Sequence, residues 1–408
     1  MKNNKDFKVL IIGSDINAYY MARSYHELYN EKCDLLARNP LGFTTYTNIL
    51  NIKYDEGLWE EETFLKRIKE YGNKHKNKKV LVVSSNETYA RFLVANKDSL
   101  PKNIVFNYPT LEIFDNFIMK DKFYNTYHEL IDIPKTILYS CRTKKLPNID
   151  FEYPVILKPA NVIEFNHRKT PRMFKIYKLY SKEEIIKTIK EFESIGYTDD
   201  LLIQEFIPGD DSALFDAVFY CNQKGKVKLA SFAQIGLQEH NRELIGNAAV
   251  LINGYNENND TDKILEKLIK FMESIGFQGL AEFDLKYDYR DKKYKVLEIN
   301  ARQGRCSYYV TASGHNLLKY LIDDVIYNEK QELTFALKTQ LLSFVPKRIV
   351  KKYIQNKAFK KEALRLWHKT KNKNPLIYKK DNNFKRKLVI LKKHLKYDQD
   401  YKNGDWKQ

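Results

Sequence analysis

Short apolar runs alternate with stretches of helical spacing at the start of the chain. Phe7-Lys8-Val9-Leu10-Ile11-Ile12 has the pattern of a buried strand, ends in Gly13-Ser14-Asp15, and is followed by Ile16 to Tyr29 with helical periodicity. Val80-Leu81-Val82-Val83 repeats the device, ending in Ser84-Ser85-Asn86-Glu87 ahead of a helical Tyr89 to Ala95. A third run, Ile104-Val105-Phe106, precedes a turn at Pro109. Strands alternating with helices predict an open, doubly wound parallel sheet that receives ligands outside the carboxyl ends of its strands. Gly13 to Asp15 and Ser84 to Glu87 occupy such places, and each is an equally good helix cap.

The pattern then changes. A helical stretch at 115–130 leads to Ile133-Pro134, after which β-rich segments fall at 153–158, 174–180, 201–207, 214–221, 227–235, 280–287 and 294–299, with helices at 181–195 and 260–275. The last two β segments, joined by the polar stretch Asp288 to Lys293, predict a hairpin. Beyond 331 the chain reads as mainly helical, broken near Pro346 and Pro375. The expected organisation is an α/β N-terminal domain over 1–112, an α+β body of two lobes over 113–330 with a hinge near 204–211, and a C-terminal region over 331–408.

Composition changes this picture only at the tail. The chain carries a formal charge of +18, and the segment from Gln331, with 22 Lys+Arg against 6 Asp+Glu, accounts for +16 of it. Such a tail serves nucleic acid, an anionic lipid surface or a phosphorylated substrate, or is a solvated helical surface; Lys385-Arg386-Lys387 is its densest cluster. Four scattered cysteines with no CxxC spacing argue against zinc or a disulfide framework and predict a reducing, cytoplasmic setting. No apolar run approaches the roughly 18–20 residues of a membrane span, and the polar N-terminus does not read as a signal peptide.

Candidate chemistry concentrates in the hairpin. Alternation puts Glu282, Asp284 and Lys286 on one face of its first strand, and Glu298 and Asn300 on one face of its second. Pairing the strands gathers Asp284, Glu298 and Asn300 as hard oxygen donors, the set that magnesium bound to phosphates requires. Lys158 ends the apolar strand Pro154 to Leu157, where a charge needs a partner such as a phosphate. Lys122 and Lys175 are indistinguishable from surface lysines by themselves. The strand Leu201 to Ile207 runs into Pro208-Gly209 and the acidic pair Asp210-Asp211, so backbone groups near Gln204 to Ile207 are suited to a purine edge and a following carboxylate to ribose hydroxyls.

In this order, Lys122, Lys158, Gln204 to Asp211, Asp284 and Glu298-Ile299-Asn300-Ala301-Arg302 resemble the ATP-grasp superfamily over residues 7–325. The resemblance implies two lobes closing on ATP behind a smaller α/β domain. It implies that Lys122 and Lys158 face phosphates, with Lys175 a further ATP-binding candidate, that Gln204, Glu205, Phe206 and Ile207 hold adenine, and that Asp211, or as second choice Asp210, holds ribose. Asp284, Glu298 and Asn300 would hold magnesium, and Arg302 would meet the transferring phosphate. The superfamily's glycine-rich phosphate-covering loop is absent after Lys158-Pro159, so His167, Arg168 and Lys175 are only candidates for a lid.

Gly13 to Tyr19 with Met21 to Tyr25, Leu157 to Asn161, and Asn300 to Thr311 are similar to bacterial D-aspartate ligases and related carboxylate–amine ligases, as is the basic tail. This implies activation of an amino-acid carboxylate as an acyl-phosphate and its transfer to an amine, with a peptidoglycan precursor as a possible acceptor. Arg302, Lys158 and Arg305 are the expected catalytic residues. Arg305 would clamp a substrate carboxylate, with Ser307, Tyr308, Tyr309, His240 and Arg242 as further wall candidates; Tyr308 and Tyr309 read equally well as core. The alternatives are an ATP-grasp ligase of small soluble amino acids, and a nucleic-acid-binding protein using Phe359, Trp367, Tyr378 and Phe384 amid the tail's charges. The latter leaves the ATP-grasp residues unexplained, so no nucleic acid is expected. Oligomeric state stays open, a homodimer being one option.

Overall fold

The computed structural model describes residues 6–170, 173–241 and 244–404. The N-terminal part is a five-stranded parallel sheet of β1 (Phe7–Ile12), β2 (Cys33–Ala37), β3 (Leu50–Tyr54), β4 (Lys79–Ser84) and β5 (Ile104–Val105), ordered β3-β2-β1-β4-β5. β1 sits at the centre with apolar cores on both faces, which is why its sequence is an almost unbroken apolar run. Polar Asp34, Asn51 and Lys53 interrupt β2 and β3, the strands that apolar pattern alone does not reveal. Strand order reverses between β1 and β4, so a crevice opens at their carboxyl ends. There Gly13 adopts φ +109°, and a Cβ on it would lie 2.0 Å from Ser85 Oγ; the two loops meet this closely only with glycine. Asp15 caps the helix Ile16–Tyr29 by accepting from the Ala18 amide, and accepts from Ser85 Oγ across the crevice at 2.9 Å.

Two antiparallel lobes follow. The smaller has β6 (Thr136–Tyr139), β7 (Val155–Pro159), β8 (Tyr177–Leu179) and β9 (Leu201–Glu205) in the order β6-β9-β7-β8. The larger is built on β10 (Leu214–Cys221), β11 (Val227–Gln238), β12 (Ala248–Asn253), β13 (Gly279–Asp288), β14 (Lys293–Asn300), β15 (Thr334–Phe335) and β16 (Gln340–Ser343), ordered β14-β13-β10-β11-β12-β16 with β15 on β11. β13 and β14 form the expected hairpin, with Asp284 opposite Glu298 and Glu282 opposite Asn300. The helical stretch expected at 115–130 is two helices, Leu111–Ile118 and Lys120–Tyr127, separated by Met119 in an extended conformation.

The basic tail is knitted into both halves. β16 pairs with β12, and Phe359 of the helix Lys357–Lys369 presses on Gly236, where a Cβ would fall 1.9 Å from the ring. Arg23, fully buried in the helix Ile16–Tyr29, donates to the carbonyls of Asn374, Pro375 and Ile377. Asp381 accepts from Tyr19 Oη, Thr47 Oγ1 and the Asn48 amide, and pairs with Arg386 at 3.0 Å. Arg386 is 1% exposed, lies 3.9 Å over the Tyr19 ring and donates to the Phe43 carbonyl. The reading of Lys385-Arg386-Lys387 as one solvated cluster therefore fails at its middle residue, because the helix turns Arg386 inward.

Arg386→Ala is expected to lower unfolding free energy by about 3–5 kcal/mol, since it strands a buried carboxylate. Lys387→Ala, exposed on the same helix, is expected to stay within about 0.5 kcal/mol of the parent. Denaturant midpoints for the two variants measure the contrast.

Candidate active site

The N-terminal sheet and the two lobes enclose a cleft of about 1110 Å³. Asp15, Asn17, Asn86, Glu87 and Thr88 line it from the β1 and β4 loops, so the crevice positions anticipated in the sequence are part of its wall. At the other end it is lined by Ile156, Lys158, Gln204, Glu205, Phe206 and Ile207 of the smaller lobe and by Leu285, Lys286 and Leu297 of the hairpin.

Between these ends the larger sheet carries a row of acids. Asp216 on β10 pairs with Asp284 on β13, which pairs with Glu298 on β14, so one rung holds three carboxylates. Burial, then the neighbouring acids Glu282 and Glu298, push Asp284 well above the usual carboxylate range. Burial and Asp284 push Asp216 up to about 6. Glu298 behaves oppositely. Burial would raise it, but Lys120, Lys175 and Lys158 outweigh that and hold it far below its ordinary value. Lys120 Nζ lies 2.7 Å from Glu298 Oε2 with its side chain 5% exposed. Lys158 donates to Tyr124 Oη and Gln204 Oε1, each at 3.1 Å; its pKa falls to about 8, mainly through burial and with Lys175 adding to it.

Asn300 completes the set. Its Nδ2 donates to Glu282 Oε2, and its Oδ1 accepts from Arg302, which pairs with Glu87 at 2.8 Å and lies 3.8 Å from Glu282. Asp284 and Glu298 present carboxylate oxygens and Asn300 its Oδ1, and a divalent cation would offset both the burial and the repulsion that raise Asp284. The donor set fits a hard ion such as magnesium.

Several sequence expectations are corrected. Lys122 is exposed and points away from the cleft; because the helix restarts at Lys120, it is Lys120 that faces in. Asp211 does not line the cleft: its carboxylate accepts from the Gln238 amide and Nε2, and Asp210 is taken up by Ser212. Of the two readings open for Tyr308 and Tyr309 the core one holds: they bond through their hydroxyls to Glu27 and Asp216, while Ser307, a wall candidate, accepts from the Gly304 amide. His240 stacks on Tyr401 at 4.3 Å, and Arg242 lies outside the described residues.

The segment after Lys158-Pro159 forms the helix Val162–Arg168, capped by Asn161; its His167 lines the cleft, whereas Arg168 pairs with Glu164. Lys175 lines the cleft from a bend ahead of β8 rather than from a strand. Arg305 lines it too, paired with the buried Glu239 at 2.6 Å. The side chain of Glu205 turns to Arg290 and the Lys135 amide. Lys178 and Lys286 both lie over the Phe206 ring, 4.0 and 5.0 Å from its centroid.

Sequence reasoning missed Asp216 and Cys306, which with Glu282 bring ligand atoms within 4.8 Å of one another. The signal was an aspartate inside the apolar run Phe215 to Cys221, which needs a partner once buried. Gly304 belongs to the same nest, for a Cβ there would sit 1.6 Å from the Glu282 carboxyl.

Over 402 residues the chain is 32% identical to the D-aspartate ligase of Enterococcus faecium (strain Aus0004), covering 95% of this chain and 94% of the relative. The chain belongs to the D-aspartate ligase family. It is an ATP-grasp ligase that joins a carboxylate to an amine at the expense of ATP. A D-alanine--D-alanine ligase from Wolbachia sp. subsp. Brugia malayi (strain TRS) is 27% identical over 193 residues, 43% of this chain and 52% of that one. No family model matches the sequence. Among solved structures, an L-amino acid ligase from Bacillus licheniformis aligns with a TM-score of 0.58 at 16% identity, covering 78% of this chain and 74% of that one. An N5-carboxyaminoimidazole synthetase from Staphylococcus aureus complexed with ADP aligns at 0.60 and 14% identity, covering 83% of each. These likenesses show the fold. No helix among the described residues is long and apolar enough to cross a membrane.

Lys120→Ala is expected to raise the Michaelis constant for ATP at least about tenfold, whereas Lys122→Ala leaves it unchanged. Steady-state kinetics on the two variants read the difference, and the reverse pattern would restore the assignment made from sequence.

Proposed function

We propose that this ligase phosphorylates a carboxylate of D-aspartate, or of a closely similar acidic amino acid, and delivers the acyl group to an amine on a peptidoglycan precursor. The observation that carries the reading is the convergence of Lys120, Lys158 and Arg302 on the Asp284–Glu298–Asn300 donor set, at the junction of two lobes and a crevice lined by polar groups. The family assignment supports the substrate class.

In this reading, ATP lies with its adenine against the segment Gln204 to Ile207 and its phosphates toward Lys120 and Lys158. Asp284, Glu298 and Asn300 would hold magnesium, which would supply neutralisation of phosphate charge. A carboxylate is a poor acyl donor because oxide would have to leave; as an acyl-phosphate it loses phosphate instead. Lys120, Lys158 and Arg302 offset negative charge as the γ-phosphoryl group moves to the substrate oxygen. Glu87 and Asn300 fix the Arg302 guanidinium, so it meets that charge already oriented. Arg305 uses one donor on Glu239 and another on the Ala248 carbonyl, and its remaining donors suit the second carboxylate of an acidic amino acid. The amine then attacks the acyl carbon and phosphate departs.

The test is a phosphate-release screen of D- and L-amino acids with and without a lysine-type peptidoglycan precursor. D-aspartate with the precursor is expected to give stoichiometric ADP and phosphate. Turnover confined to small soluble amine acceptors, or AMP and pyrophosphate as products, would overturn the reading.

The lowered pKa of Lys158 predicts a pH limb. Charged below about 8 and neutral above it, Lys158 loses its hold on phosphate as pH rises, so kcat/KM for ATP should fall through that value. Lys158→Arg, which stays charged, should remove the limb even where it lowers the maximum.

A further inference from the structure

The C-terminal helix Phe384–Asn403 presents an apolar stripe to solvent. Phe384, Leu388, Leu391 and Leu395 are 72, 49, 54 and 62% exposed, and their spacing places them on one side of the helix. The opposite side is committed to the protein through Arg386, Tyr397 and Tyr401, all buried. At 1.5 Å per residue the stripe runs about 16 Å. A soluble surface does not ordinarily align four large apolar side chains in this way.

The stripe's surroundings identify what covers it. Lys387 flanks it on one side and Lys385, Lys392 and Lys396 on the other; all four are exposed and, among the described residues, none forms an ion pair. From Phe384 to Tyr397 the helix holds no acidic residue. A second copy packed on this face would oppose lysine rows to lysine rows, which is costly. An anionic surface that accepts both the apolar side chains and the ammonium groups suits it, as with helices that lie in a lipid interface.

We infer that the exposed face of the helix Phe384–Asn403 docks the enzyme on an anionic lipid bilayer. The loop carrying Tyr46 adds to the patch: Tyr46 is 47% exposed with Lys385 Nζ 5.5 Å from its ring, and the loop packs on the helix where Gly42 meets Val389. Phe43 of that loop lines the active-site cleft and lies 4.0 Å beneath Lys393 of the helix. Docking thus brings one rim of the cleft to the lipid surface. The inference concerns where the enzyme works and stands whichever acid it activates.

The test is co-sedimentation of the full-length protein with vesicles of phosphatidylglycerol and phosphatidylcholine in equal parts, and with phosphatidylcholine alone. Binding to the anionic vesicles is expected, weakening as salt rises, with little to the neutral ones. The double variant Leu391→Ser, Leu395→Ser should partition at least about tenfold more weakly, and so should Lys387→Glu, Lys392→Glu. Both should keep the parent's melting temperature and its phosphate release with soluble substrates. The inference is overturned if anionic vesicles leave the protein in the supernatant, or if the leucine variant binds as the parent does. It is equally overturned if the parent is a dimer, without vesicle binding, that the leucine variant dissociates.

Discussion

One rung of the central sheet carries three carboxylates, Asp216, Asp284 and Glu298, and a partly buried row of this kind is sustained by positive charge brought to it or by protonation of some of its members. The protein supplies part of that charge itself. Lys120 comes from the helix that opens the body of the molecule, Lys158 from the end of β7 in the smaller lobe, and Lys175 from the bend ahead of β8. Their combined field holds Glu298 ionised while Asp284, out of their closest reach, is driven toward protonation. On the function proposed, the unequal pair is where a divalent ion and phosphates would complete the balance.

Much of the remaining architecture serves this placement. The hairpin register fixes Asp284 against Glu298 and Glu282 against Asn300. Gly304 and Gly13 allow backbone to approach Glu282 and Ser85 more closely than any side chain permits. The tail, far from being an appendage, supports residues of the cleft wall from behind: Tyr397 donates to Glu239, the partner of Arg305, and Arg386 donates to the Phe43 carbonyl.

The sequence showed most plainly what a strand pattern encodes locally. Alternation along 280–300 was enough to gather Asp284, Glu298 and Asn300 on one face of a hairpin, though not to give its register, which shifts between Asp284 and Leu285, and the apolar run before Lys158 marked that lysine as one needing a partner. Errors arose where one residue changes phase or where tertiary packing decides. Met119 breaks a stretch that reads as one helix, and the restart exchanges Lys122 for Lys120. Asp211 has the expected position in the turn, but β11 comes close enough for Gln238 to take its carboxylate. Arg386 is chemically identical to a surface arginine until the Tyr19 ring and Asp381 are assembled around it. β2 and β3 escaped notice because their polar positions mask a strand that only the finished sheet reveals.

On the function proposed, this cleft makes a carboxylate reactive by moving a phosphoryl group onto one of its oxygens. The most direct measurement uses D-aspartate labelled with heavy oxygen in its carboxylates, with mass analysis of the inorganic phosphate released during ligation. The account predicts one labelled oxygen per phosphate, carried from the carboxylate through the acyl-phosphate. Phosphate without label, alongside normal amide formation, would contradict it.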